Sequence, residues 1–166
     1  PTREGLTCQG WNYTLAKAQE YVTSYGVLDI GAMYITDDGK TRSYITIAAA
    51  GRMTVPLYFS QSVANGVTID WGDGSATKTL SGTGIKNTSH TYAAIGDYVI
   101  TLKVTSGTLV LGFDASSLSV MGDYGNNGKV YCNMLRKVEI GSGVTSIGKF
   151  TFYNCYSLAS VVIPSG

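Results

Sequence analysis

The sequence predicts a mainly β chain, a β-sandwich that runs at its C-terminal end into the start of a short solenoid. Three observations predict it. Apolar and polar residues alternate in several short runs between Val27 and Val104, the two-residue period of half-buried strands. Turn-forming glycines separate these runs, and only 14% of residues are charged, against roughly 25% in an ordinary soluble domain. The exposed faces must therefore be built from Ser, Thr, Asn and Tyr, which suit solvent-facing strands. Finally, a segment that begins at Leu135 recurs at Leu158, 23 residues on.

The elements follow in chain order. Thr14–Ser24 (TLAKAQEYVTS) predicts a short helix capped by Thr14, with Leu15, Ala18 and Tyr21 or Val22 on one face that must dock. Two strand-like runs, VLDIGAMYI and TRSYITIAA, flank Thr36-Asp37-Asp38-Gly39-Lys40, and Asp38-Gly39 there predicts a hairpin. TRSYITIAA is then the first strand of the sandwich; the alternative is a joint at Gly51 that sets the N-terminal 50 residues apart as a separate small domain. Met53, Val55, Leu57 and Phe59 alternate next, followed by Val67, Ile69 and Trp71, and finally by Tyr98, Ile100, Leu102 and Val104. Short strands at this spacing, with glycine turns between them, predict a sandwich. The reading divides the chain into 1–26, a preceding tail plus helix and linker; 27–107, the sandwich with its N-terminal hairpin; and 108–166, a capping segment and the first repeats, truncated within the second copy.

The repeat reads LRKVEIGSG from Leu135 and LASVVIPSG from Leu158, and Cys132 and Cys155 each stand three residues before the leucine. That period and that spacing of Leu and Ile signal a leucine-rich repeat. Each such repeat buries its apolar face only against a neighbour. Arg136, Lys137 and Glu139 point away from Leu135, Val138 and Ile140, and so form a possible binding face.

Three segments resemble known families. Trp71-Gly72-Asp73-Gly74-Ser75, His90-Thr91-Tyr92 and Gly96-Asp97-Tyr98, with the alternation that follows, resemble the PKD domain. The resemblance implies an immunoglobulin-like sandwich of extracellular type, serving as a spacer or binding module. Leu135, Val138, Ile140, Val144, Ile147, Gly148, Phe152, Cys155 and Leu158 match the BspA-type bacterial surface leucine-rich repeat. Thr151 replaces its usual Ala and Gly141 its usual Pro. Val130–Met134 reads as a decayed repeat end, a cap. PTREGLTCQGWN is similar to the end of a repeat of Listeria and Bacteroides surface proteins, with Cys8 at an aromatic position.

Chemistry is sparse. Starting a calcium loop at Asp70 puts Gly72 and Gly74 where ligands belong and Ser81 where a Glu belongs. Asp73 and Ser75 are expected instead to accept backbone N–H bonds in a turn where Gly72 and Gly74 adopt positive φ. The Gly39-Lys40-Thr41 triplet lacks the earlier glycine of a phosphate loop, Tyr34 standing there. His90 is the only histidine and no G-x-S-x-G elbow accompanies it; a ring hydrogen bond to a nearby turn is its expected role. Trp71 is in phase with Val67 and Ile69 and is expected in the core. Three cysteines (Cys8, Cys132 and Cys155) make an odd number, which argues against a disulfide framework. With a net charge of +1 and no basic stripe, a nucleic-acid partner is not expected. No apolar run is long enough to span a membrane.

The expectation is a non-enzymatic segment, without cofactor or metal, of a modular bacterial cell-surface protein. It acts in adhesion or as a spacer, with a protein or glycan ligand on a host or neighbouring surface. The alternatives are a phage virion component (capsid decoration, head fibre or tail-associated attachment module), then forming a homo-oligomer, and a carbohydrate-binding accessory of a larger enzyme.

Overall fold

A computed structural model describes residues 6–11, 14–28, 32–36, 38–112, 118–123 and 131–164. Pro1–Gly5, Asn12, Asp29, Ile30, Gly31, Asp37, Val130, Ser165 and Gly166 of the motifs above lie outside them. Contacts divide the chain into two compact units, Pro1–Asp38 with Pro164–Gly166, and Gly39–Ile163. The division falls at Asp38/Gly39.

In the first unit, β1 (Leu6–Trp11) pairs antiparallel with β2 (Ala32–Thr36), with a bulge between Cys8 and Gly10. Helix α1 (Leu15–Tyr25) stands between them in sequence. Thr14 caps it by accepting the Lys17 N–H at 3.3 Å, and Gly26, at φ 82°, ends it with an N–H bond to Val22 O. Only Ala18 of the expected docking face is buried; Leu15 is 76% exposed and Tyr21 and Val22 are also open. The pattern located the helix but not its packing, because a helical period reports a face and not what covers it.

The second unit holds β3 (Thr41–Ile47), β4 (Thr54–Gln61), β5 (Val67–Asp70), β6 (Lys78–Thr79), β7 (Gly84–Thr91), β8 (Gly96–Val104), β9 (Leu109–Leu111), β10 (Leu118–Ser119), β11 (Gly122–Asp123), β12 (Leu135–Glu139), β13 (Val144–Ile147) and β14 (Ser160–Val162). The larger sheet has the order β14-β12-β3-β8-β5-β6 and the smaller β13-β9-β4-β7, while β10 and β11 pair separately. The unit is thus mainly β with two principal sheets. Residues at every second position of their strands meet in one core: Ile45 and Ile47, Val55, Leu57 and Phe59, Val67 and Ile69, Ile100 and Leu102, Leu109 and Leu111. Burying each such side chain stabilises the fold by about 1.5–3 kcal/mol. Pro56 is tolerated in β4 because β9 pairs only with Phe59–Gln61, leaving the ladder on that side unneeded at residue 56.

The expected hairpin at Asp38-Gly39 does not form. β2 pairs with β1, and β3 uses one edge for β8 (Ile45 opposite Tyr98) and the other for β12 (Ile45 opposite Leu135). A strand has two edges, so none is left for β2.

The 23-residue offset reappears as a register. β12 and β14 lie parallel with Lys137 opposite Ser160, Val138 opposite Val161 and Glu139 opposite Val162. β13 joins the other sheet, parallel to β9. Leu135, Val138, Ile140 and Cys155 are buried, while Val144, Phe152 and Leu158 pack partly buried against the same core. Ile147 departs from the expected core set. It is 37% exposed, on a strand at the edge of the smaller sheet.

Candidate functional site

The residues of the W-G-D-G-S, H-T-Y and G-D-Y motifs assemble at one place. After β5 the chain turns through residues 70–75, where Asp70 Oδ1 accepts the Gly72 N–H at 2.9 Å and Asp73 Oδ1 the Ser75 N–H at 3.0 Å. Gly72 and Gly74 have φ of 76° and 82°. A Cβ on Gly72 would lie 3.0 Å from the backbone N and C of Val99, and closer still to its carbonyl oxygen, so β8 also requires glycine there. Trp71 is 2% exposed. The His90 ring stacks on it at 5.0 Å, Tyr92 meets His90 edge-on at 4.8 Å, and Tyr98 lies 4.2 Å from Tyr92. Tyr92 donates its hydroxyl to Trp71 O at 2.8 Å, and Tyr98 donates to Ala94 O at 2.8 Å. Gly96 opens β8 just before Tyr98.

His90 Nε2 lies 2.6 Å from Asp73 Oδ2. Hydrogen bonds from Ser75, then from His90, hold the Asp73 carboxyl well below the ordinary carboxylate range. An ionised carboxylate only accepts, so the shared proton resides on Nε2. Ser75 therefore donates to Asp73, where the sequence suggested an acceptor. Its bond runs to the acid and not to the imidazole, so the acid–imidazole–nucleophile order of a serine triad is not assembled. What the pair does is mechanical. His90 belongs to β7 in the smaller sheet and Asp73 to the turn after β5 in the larger one, and the bond ties the two sheets at one end.

A second constellation lies on the outward face of the larger sheet. In β3, Thr41, Ser43, Ile45 and Ile47 are buried, so Arg42, Tyr44 and Thr46 face out. Opposite them on β8 stand Thr101, Val99 and Asp97, and β12 contributes Arg136, Lys137 and Glu139 beyond. Tyr44 donates to Glu139 Oε2 at 3.0 Å, Lys137 Nζ lies 2.8 Å from Glu139 Oε1, and the same ammonium stands 5.2 Å from the Tyr44 ring centroid. Burial, then the Glu139 carboxylate, pushes the Tyr44 hydroxyl above its ordinary range, so it remains a donor. Glu139 likewise raises Lys137, which stays an ammonium. Beside this fixed ring runs an open groove of about 370 Å³, with Tyr44, Val99, Thr46, Asp97 and Arg136 around it. Asp97 Oδ1 accepts from Thr46 Oγ1 at 2.7 Å, and Arg136 has no ion-pair partner among the described residues.

The chain matches no family model, no curated protein and no solved structure.

The sequence-predicted face Arg136, Lys137 and Glu139 therefore borders a groove whose other wall sequence reasoning missed. A signal for Tyr44 was present: in TRSYITI it stands out of phase with the buried residues, a large aromatic where the alternation calls for a polar one. Asp97, Thr46 and Val99 carried no such signal, because only the β3–β8 register brings them to Tyr44. Among the described residues, no three His, Cys, Asp or Glu side chains come together as a metal site would require.

Proposed function

We propose that this chain is a non-enzymatic binding segment of a modular bacterial surface protein. On this reading an immunoglobulin-like, PKD-type sandwich leads into the start of a BspA-type leucine-rich repeat, and the outward face of the larger sheet takes a protein or glycan ligand. Several observations support the fold half of the reading. The W-G-D-G-S turn, His90 and Tyr92 act together as a clasp between sheets, and the Tyr98 hydroxyl reaches back to Ala94 O in the manner of a tyrosine corner. The two copies of the repeat pair in parallel at their own 23-residue offset.

The observation that carries the binding half is Tyr44, an aromatic ring on a solvent-facing strand position, immobilised by Glu139 and Lys137 beside a groove edged by Arg136 and Asp97. A ring already fixed loses little entropy on meeting a ligand, and aromatic and Arg side chains dominate binding energy where they are pre-ordered. The test is a glycan-array and envelope-protein binding screen of the full chain beside Tyr44→Ala and Arg136→Ala. Both variants should weaken the ligand found by about tenfold or more and leave the unfolding midpoint in place. A ligand held equally by both variants, or no ligand at all, would sink the reading.

A further inference from the structure

Cys132 and Cys155 are both in the core, 1% and 9% exposed, and both are free thiols. They are 23 residues apart, the same interval that sets Val138 opposite Val161 in the parallel pair β12–β14. Each precedes its leucine, Leu135 or Leu158, by three residues, so the two occupy equivalent places on successive turns of the chain. Equivalent places on stacked turns stand about one strand spacing apart, about 4.7–4.9 Å, inside the roughly 4.4–6.8 Å between Cα atoms that a disulfide spans. The two thiols are near enough for each to be the largest influence on the other's acidity; Ser119 Oγ lies 2.9 Å from the Cys132 sulfur, and the Cys155 thiol donates to Tyr153 O at 3.9 Å.

We propose that Cys132 and Cys155 are a disulfide-forming pair, closing to a bridge that links the turn before β12 to the turn before β14. The argument needs only the stacking of the two turns and does not depend on the ligand-binding reading. In the reaction the two thiols lose two protons and two electrons as the S–S bond forms. A disulfide co-reactant, small-molecule or protein-borne, takes them up as its own bond breaks into two thiols. One of the two sulfurs, as its thiolate, attacks the co-reactant, and the other then resolves the mixed disulfide. Because both sulfurs are shielded, exchange requires local opening or occurs during folding, before the core closes.

The experiment is refolding of the full chain in an oxidising glutathione buffer, alkylation of remaining thiols in denaturant, and peptide mapping by mass spectrometry. A Cys8→Ser chain is run in parallel to keep the third thiol from scrambling the result. The expected outcome is one linked peptide pair joining Cys132 to Cys155, abolished by dithiothreitol. It should account for roughly nine-tenths or more of the chain, since an unstrained bridge has a potential below that of the glutathione pool. Alkylation of both cysteines in the refolded chain overturns the proposal, and so does a predominant bridge from either one to Cys8 or to a second copy.

Discussion

Replacing Gly141 with alanine puts a methyl group where two backbones cross. A Cβ built there lies 2.5 Å from the carbonyl carbon of Lys40 and 2.7 Å from that of Gly39, and nearer still to the Gly39 oxygen. These are main-chain atoms, so no rotamer change relieves the overlap. Gly141 is not among the left-handed glycines, so the effect is steric alone. Ordinary contacts of this kind sit at roughly 3.3–3.6 Å, so the strands must part by about 1 Å. The separation also strains the buried bond from the Gly141 N–H to Thr41 Oγ1, now 3.0 Å. Overpacking of this kind destabilises by about 1–3 kcal/mol, and weakening one buried hydrogen bond adds about 1 kcal/mol, so Gly141→Ala should destabilise by about 2–4 kcal/mol. Gly141→Pro should be worse, since it removes the N–H as well. The assay is urea unfolding in a Trp11→Phe background followed by fluorescence of Trp71, which is buried and stacked on His90. Gly51→Ala is the control: a Cβ there meets nothing within 4 Å, and the change should stay within about 0.5 kcal/mol. If Gly141→Ala is as mild as Gly51→Ala, residues 39–40 do not cross residue 141 as described, and the reason given for glycine at this position is wrong.

Tyr92→Phe removes the hydroxyl that reaches the buried Trp71 carbonyl and should destabilise the same unit by about 1–3 kcal/mol; a loss too small to resolve in the Trp71 assay would mean the bond contributes nothing. Asp73 has its carboxyl held below the ordinary carboxylate range, by Ser75 and then His90. Its stabilising contribution is therefore complete above about pH 4 and is lost as pH falls below that. Wild type should accordingly lose stability more steeply on acidification than Asp73→Asn, and parallel acid limbs in pH-dependent urea unfolding would refute the linkage.

The features legible in the sequence are those set by short-range geometry. Alternation in TRSYITI, TVPLYFSQ and VTID places their buried residues, and Trp71 falls two positions after Ile69 and is buried with it. Gly72 and Gly74 lie where the turn needs positive φ. What alternation does not hold is the identity of a strand's neighbour. Asp38-Gly39 has the same local chemistry whether it closes a hairpin or carries the chain onward, and the decision is made by β8 and β12, far along the sequence. The same limit hid the groove, because Asp97 and Thr46 become neighbours only through that pairing. Cysteine parity argues against a disulfide framework, and Cys132 and Cys155 are free thiols, but parity carries no information about position. Counting three thiols says nothing of which two the repeat stacks, whereas the interval from Cys132 to Cys155 equals the repeat offset and could have been used.

The two departures from the repeat pattern, Gly141 and Thr151, lie where the repeat segment meets the sandwich strands. Gly141 passes against Gly39 and Lys40 and donates to Thr41 at the start of β3; a proline there would have neither the room nor the N–H. Thr151 is buried and donates to the carbonyls of Leu111, the last residue of β9, and of Gly148, while Gly112 leaves space for its side chain. An alanine could fill that space but could not meet the Leu111 carbonyl. Just before Gly141, β12 extends the larger sheet alongside β3, and between Gly141 and Thr151 β13 extends the smaller sheet alongside β9. A repeat stacked only on another repeat would meet neither strand, and would have no use for either residue. On the proposed reading, the sandwich thus takes the place of the preceding repeat: its two sheets cover the apolar end that a first repeat would otherwise leave open. On the same reading, the residues that depart from the resembled repeat pattern are those that make this junction.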